Sequence, residues 1–166
     1  MDSIFLFAHP LNCKHTLILI GLVILQIDIP QLDIVSFFIS WRRKKQTVAA
    51  RSSTEVEYRA LADATSELVW IRWLLEDMGL GPQTPTPLHC DDRSAIQIAH
   101  NDVFHERTKH IEVDCHFVRQ HLLQHDLQLV SVSSLDQPAD LFTKGHLPGR
   151  FSALLSKLKM GCKLPP

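Results

Sequence analysis

HTLILIGLVILQIDIPQLDIV, residues 15–35, is the most apolar stretch of the chain, and its reading decides the fold: membrane span or part of a sheet. A spanning helix needs about 20 predominantly apolar residues with few or no charges. The uninterrupted run here ends at Leu25, and Gln26, Asp28, Pro30, Gln31 and Asp33 follow within one would-be span. Carboxylates near a bilayer centre cost about 2.5–3.5 kcal/mol each on insertion scales. A secretory leader fits no better, because Asp2 precedes any lysine and no small-residue cleavage site follows the run. Isoleucine, leucine and valine dominate the stretch, which points to a buried β-rich segment.

The whole chain agrees with a non-membrane, non-secreted protein of the cytoplasm or nucleus. Its 166 residues make one domain with a proper core. With 17 basic and 18 acidic residues it has no charge surplus to draw nucleic acid non-specifically. Cys13, Cys90, Cys115 and Cys162 are scattered and form no CxxC pair, which argues against a zinc knuckle or a disulfide scaffold and for a reducing compartment. There is no internal repeat or low-complexity linker. One compositional break falls near Phe38–Trp41, where the greasy segment gives way to WRRKKQ.

From Trp41 onward the pattern is that of an α/β layer. RSSTEVEYRALADATSELVWIRWLLEDMG reads as a long helix with Leu61, Ala64, Leu68, Ile71 and Leu75 at helical spacing and Gly79 as its stop. After the proline-rich turn GPQTPTP, PLHCDD reads as a short strand ending in paired acids, and SAIQIAH as a helix. RTKHIEVDCHFVRQHLLQ is amphipathic, with Ile111, Val118 and Leu122 on one stripe. LQLVSVSS is a strand, DQPADLFTK opens a helix with Pro138 in its first turn, and FSALLSKLKMG closes the chain with an amphipathic helix. Helix, strand, helix, helix, strand, helix implies helices packed on a sheet.

Three acids stand at the ends of these elements. Glu57 lies four residues before Leu61, on the core face of the long helix, while Glu55 points the other way. Thr54-x-x-Glu57 and Ser52-x-x-Glu55 both also fit a capping box, which would make either acid a helix-start device. Asp91 ends the strand LHCD, where side chains face a crevice rather than the core; it could equally be a loop acid, with Asp92 capping the next helix. Asp140 lies in a first helical turn, where the dipole favours a carboxylate in any case. Converging carboxylates repel, so a cluster of them is tolerable mainly around hard divalent cations such as Mg²⁺.

These segments together resemble a known family. WRRKKQTVAARSSTEVEYRALADATSELVWIRWLL, LHCDDRSAIQIAHNDVFHERTKHIEVDCHFVRQ and LVSVSSLDQPADLFTK look like the ribonuclease H domain that follows reverse transcriptase in the Pol polyprotein of copia-type retrotransposons. The resemblance runs over residues 36–147, in the family's order and spacing, with Asp92 standing where the family shows Asn. It implies an α/β, ribonuclease H-like mixed sheet with flanking helices and an active site of four carboxylates holding two Mg²⁺ ions. Carried over by motif, Glu57 is the helix acid, Asp91 the central-strand acid and Asp140 the last-helix acid, each a catalytic metal ligand. The implied reaction is hydrolysis of RNA in an RNA–DNA hybrid, one ion helping to ionise water and the other stabilising the departing 3′ oxygen. The implied partners are the hybrid, read by groove shape and 2′-hydroxyls, and the reverse transcriptase domain of the parent polyprotein. Lys109, Arg119 and Lys144 are candidate phosphate contacts; each could as well belong to a solvated helix face.

The fourth acid is missing. In the family it sits on the first strand in a motif like (C/S)DxDWAG, followed by one like DRRSTSGYC, and neither is present here. The genetic code offers a reason. TCT GAT TCT GAT TGG GCT GGT encodes SDSDWAG; displaced by one base it reads CTG ATT CTG ATT GGG CTG GT(N), which is LILIGLV, residues 17–23. AGA CAT TCC ACA ACT GGA TAT TGT encodes RHSTTGYC; in the displaced frame, with AT before it, it yields IDIPQLDIV, residues 27–35. Residues 1–35 therefore read as an out-of-frame segment, 36–147 as the ribonuclease H-like domain and 148–166 as a C-terminal amphipathic helix and tail. The expected consequences are incomplete first strands and hydrolysis that is impaired or lost, leaving a catalytically dead nucleic-acid-binding remnant as the alternative and a small membrane-anchored protein as a distant one. Sequencing the locus and translating all three frames tests this. A DxDWAG-like reading should overlap codons 17–23, and its absence rejects the displaced frame.

Overall fold

The computed structural model describes residues 3–13, 16–29, 34–45, 52–82, 84–101, 111–142 and 145–157. Side chains are described from Ser52 onward within these spans, apart from those of Ser53, Ala139 and Phe142. Strands β1 (Ser3–Cys13), β2 (Thr16–Ile29) and β3 (Ile34–Lys45) precede the long helix α1 (Ser53–Asp77). Then come β4 (Thr86–Cys90), α2 (Arg93–His100), α3 (Glu112–Leu123), β5 (Leu127–Ser131), a 3₁₀ helix (Pro138–Phe142) and α4 (Pro148–Lys157). The five strands form one mixed sheet in the order β3-β2-β1-β4-β5. β1, β2 and β3 pair antiparallel, whereas β4 runs parallel to β1 and to β5. The fold is thus an α/β mixed sheet with flanking helices, the architecture that the resemblance implies.

The described part of the apolar stretch 15–35 is extended strand, most of it β2 with Ile34 and Val35 beginning β3. Residues 16–29 form β2, and no helix among the described residues is long and apolar enough to cross a membrane. The first strands are not incomplete, contrary to expectation. β1, β2 and β3 are 11, 14 and 12 residues long, and β1 pairs with β2 from Ser3↔Gln26 to Cys13↔Thr16. Sheet ladders are made by backbone groups, and any stretch rich in isoleucine, leucine and valine suits a pleated, half-buried surface, whatever motif it lacks. The positions expected on the first strand, 17–23, lie instead on β2, and β1 is the upstream segment SIFLFAHPLNC. Its Pro10 lies beyond the parallel join to β4, which ends at Ala8↔Cys90, so a missing N–H is tolerated there.

α1 carries the core. Ser52 caps it, its Oγ accepting from the Glu55 N–H at 3.1 Å. At the other end Gly79 takes φ +74°, the Gly79 N–H donates to the Glu76 carbonyl (2.9 Å) and the Leu80 N–H to the Leu75 carbonyl (2.8 Å). This is a glycine-terminated Schellman closure, as the sequence predicts. The expected stripe of Leu61, Ala64, Leu68, Ile71 and Leu75 is buried, and Ile111, Cys115 and Val118 of the α3 segment pack into the same cluster. α1 touches β1, β2 and β4 as well as α2 and α3. Within the predicted helix at DQPADLFTK the described residues Pro138–Phe142 form a five-residue 3₁₀ helix. Leu68 is fully buried (0% exposed), so Leu68→Ala should lower stability by about 2–5 kcal/mol in denaturant unfolding with an unchanged slope.

Candidate active site

α1 places Glu57 one turn before Leu61, and the side chain is 7% exposed. The helix begins at Ser53 with Ser52 as its cap, its Oγ taking the Glu55 N–H, and Thr54 lies inside the helix. Glu57 is therefore not a capping acid. Glu55 does not face open solvent as expected: it is buried too, its carboxylate accepting from Arg59 at 2.8 Å one turn on.

β4 ends at Cys90, and Asp91 follows half-buried at the point where the chain leaves the sheet. Asp92 caps α2, its Oδ1 accepting from the Ser94 N–H (2.7 Å) and the Ala95 N–H (3.1 Å). Asn would accept the same bonds, so the departure at this position leaves the cap intact. The Cys90 thiol reports what surrounds this corner. Burial pushes it up to about 12, a backbone hydrogen bond from Asp92 acts the other way, and the charges of Glu57, Asp91 and Asp92 add to the rise. The charges of Glu57 and Asp91 are thus both felt at the Cys90 thiol.

Asp140 is placed differently. The 3₁₀ helix that carries it packs against β1, β2 and α4, and the residue is fully buried (0% exposed). Its Oδ2 accepts from Arg150 Nη2 at 3.1 Å, and its backbone carbonyl accepts from His146 Nε2 at 2.9 Å. No group of three or more His, Cys, Asp or Glu residues able to hold a metal ion is present among the described residues. On β1, the strand alongside β4, none of the eleven residues is Asp or Glu. The carboxylates present therefore do not fit the two-ion site that the resemblance implies: the first-strand ligand is absent, and Asp140 already holds a guanidinium.

Among the basic residues, Lys109 and Lys144 lie outside the described residues. Arg119 turns inward on the C-terminal end of α2, donating to the carbonyls of Ile98 (3.2 Å), Ala99 (3.4 Å) and Asn101. The residue that sequence reasoning missed is Arg150. A cation in the first turn of a helix opposes the helix dipole, and that mismatch is the one local sign that Arg150 has a dedicated partner.

No family model matches the chain. It is 41% identical over 128 residues to the retrovirus-related Pol polyprotein from transposon RE1 of Arabidopsis thaliana, and 42% identical over 128 residues to that from transposon RE2 of the same plant. Each alignment takes in 77% of this chain but 9% of the relative, so the chain spans only a small part of the polyproteins it matches. Among solved structures, the N-terminal RNase H domain of rv2228c from Mycobacterium tuberculosis aligns over 95% of this chain and 99% of that one, at 11% identity and TM-score 0.49.

His89, half-buried on β4 beside this corner, gives a pH signature. Burial lowers its pKa below the ordinary value of about 6.5, because the imidazolium is the form that loses solvation. A lowered folded-state pKa means stability is intact above about pH 6.5 and falls as pH drops beneath it. Unfolding midpoints should decline between about pH 7 and about pH 5, and His89→Gln should make that decline shallower.

Proposed function

This chain belongs to the retrovirus-related Pol polyproteins of copia-type transposons, and we propose that it is a ribonuclease H domain of that family whose hydrolytic step is lost. The observation that carries this reading is β1: the strand paired with β4, level with the Cys90–Asp91 corner, offers no carboxylate. In the family reaction the bound divalent ions would activate water and stabilise the leaving oxygen. Glu57 and Asp91 are the surviving part of that ligand set, and Asp140 its third member by motif. Without the first-strand acid, these carboxylates do not clamp a pair of ions. The substrate class to which the domain would be directed is an RNA–DNA hybrid, within a polyprotein that also carries reverse transcriptase. Asp28 and Asp33 belong to the segment before Ser36 that we read as displaced in frame, and are not substitutes for the missing acid.

Near-neutral charge supports loss of function over retained binding. At a formal charge of −1 the chain has no surplus of Lys and Arg with which to release counterions from a hybrid, the main source of sequence-independent affinity. The purified chain, incubated with a labelled RNA–DNA hybrid and Mg²⁺ or Mn²⁺, should cleave no faster than a chelator control. Metal-dependent cleavage abolished by Glu57→Gln, Asp91→Asn or Asp140→Asn would overturn the reading. Tight hybrid binding without cleavage would replace it with a dead nucleic-acid-binding remnant.

A further inference from the structure

Asp140 is the most deeply buried of the three acids, at 0% exposed. A carboxylate taken out of water is costly unless a cation and hydrogen bonds compensate for the lost hydration. In a metal site that cation is a divalent ion. Here it is Arg150, whose Nη2 donates to Asp140 Oδ2 at 3.1 Å and also approaches the Ser134 carbonyl at 3.4 Å.

Arg150 does not act alone. The whole C-terminal segment is drawn onto the 3₁₀ helix and the turn before it. His146 Nε2 lies 2.9 Å from the Asp140 carbonyl oxygen, Lys157 Nζ bonds Asp136 Oδ1 at 2.5 Å, and Leu154 of α4 is buried. Polar ties therefore stand at both ends of α4, with a single buried leucine between them. Each basic partner comes from the C-terminal side and each acid from the turn or the 3₁₀ helix, so the segment is fitted to that acidic stretch by charge as well as by packing.

We propose that Arg150 is the resident counter-cation of Asp140, and that α4 is a strap which places the guanidinium where a divalent ion would have to bind, keeping the ion out. The strap can compete in this way because guanidinium and divalent ion need the same carboxylate oxygens and repel each other when both are near. It is also within reach of solvent, since the Arg150 side chain is 40% exposed while Asp140 is buried. This goes beyond the loss of hydrolysis, which rests on β1 and stands or falls independently of Arg150.

The test is thermal unfolding of the full chain with and without millimolar Mn²⁺, read by circular dichroism, with no substrate present. The wild-type midpoint should not move with Mn²⁺. Arg150→Met should lower it by about 4–10 °C in metal-free buffer, less than for a fully buried pair because the arginine is partly exposed. Mn²⁺ should then restore part of that loss, and Arg150→Met combined with Asp140→Asn should no longer respond, because a neutral amide needs no cation. If Arg150→Met fails to fold, folding of the double variant supports the proposal, and failure of both overturns it in favour of plain packing by the arginine stem. Arg150→Lys, which keeps the charge and loses the planar fork, should give a smaller loss and a weaker Mn²⁺ response. A wild-type midpoint raised by Mn²⁺ as much as that of Arg150→Met, or no loss on Arg150→Met, would also overturn it. Because no cleavage is measured, these outcomes are distinct from the hybrid assay.

Discussion

The sheet is continuous only through the parallel join of β1 to β4, three residues on each strand from Leu6↔Leu88 to Ala8↔Cys90. On one side lies the antiparallel meander β1–β2–β3, on the other the parallel pair β4–β5. A parallel pair cannot be closed by a tight turn and needs a crossover, which the segment carrying α2 and α3 supplies. What holds the two halves together is α1, which touches β1 and β2 in the meander and β4 across the join. Its burial is therefore the constraint on which the rest depends. The end of β4 keeps its place beside β1 only while α1 keeps the join closed.

Charged side chains support this arrangement mainly by meeting backbone carbonyls that helices and loops leave unpaired. Arg72, buried in α1, donates to Thr86 Oγ1 (2.8 Å) and to the carbonyls of Thr84 (3.0 Å) and Pro82 (3.4 Å), pinning the loop that feeds β4. Arg119 does the same for the end of α2. Buried groups of this kind must be satisfied, and a guanidinium with five fixed donors meets several carbonyls at once. Two arginines that in a nucleic-acid-binding protein might have been turned to phosphates are occupied inside the fold.

How much of this was legible follows from the range of each interaction. α1 could be read almost completely, because its stripe, its Ser52 cap and its Gly79 stop are fixed by residues within one or two turns of each other. The Asp92 cap was readable for the same reason. The competing capping boxes at Ser52 and Thr54 were not separable, since both satisfy the same local rule; the choice depends on where β3 releases the chain. Strand neighbours lie further out of reach: nothing local in LILIGLV says that it pairs with Ser3–Cys13 on one side and WRRKK on the other. The 3₁₀ helix at Pro138–Phe142 was mistaken for the start of a longer helix, because proline and aspartate favour the first turn of either. Arg150 on Asp140 spans a turn and a change of helix, and only its awkward position in a first helical turn hinted at it.

The same contrast separates what a strand needs from what a buried charge needs. A strand needs no particular side chain to keep its ladder, and β1 pairs with β2 along its whole length with no carboxylate on it. Asp140 is different, because deleting its charge would strand the Arg150 guanidinium against a buried amide, and deleting Arg150 would strand the carboxylate. A residue held by a reciprocal pair is retained on stability grounds alone. Asp91, by contrast, stands half-buried where the chain leaves β4. Burial and partner, rather than motif, thus set how firmly a carboxylate such as Asp140 is tied to the fold.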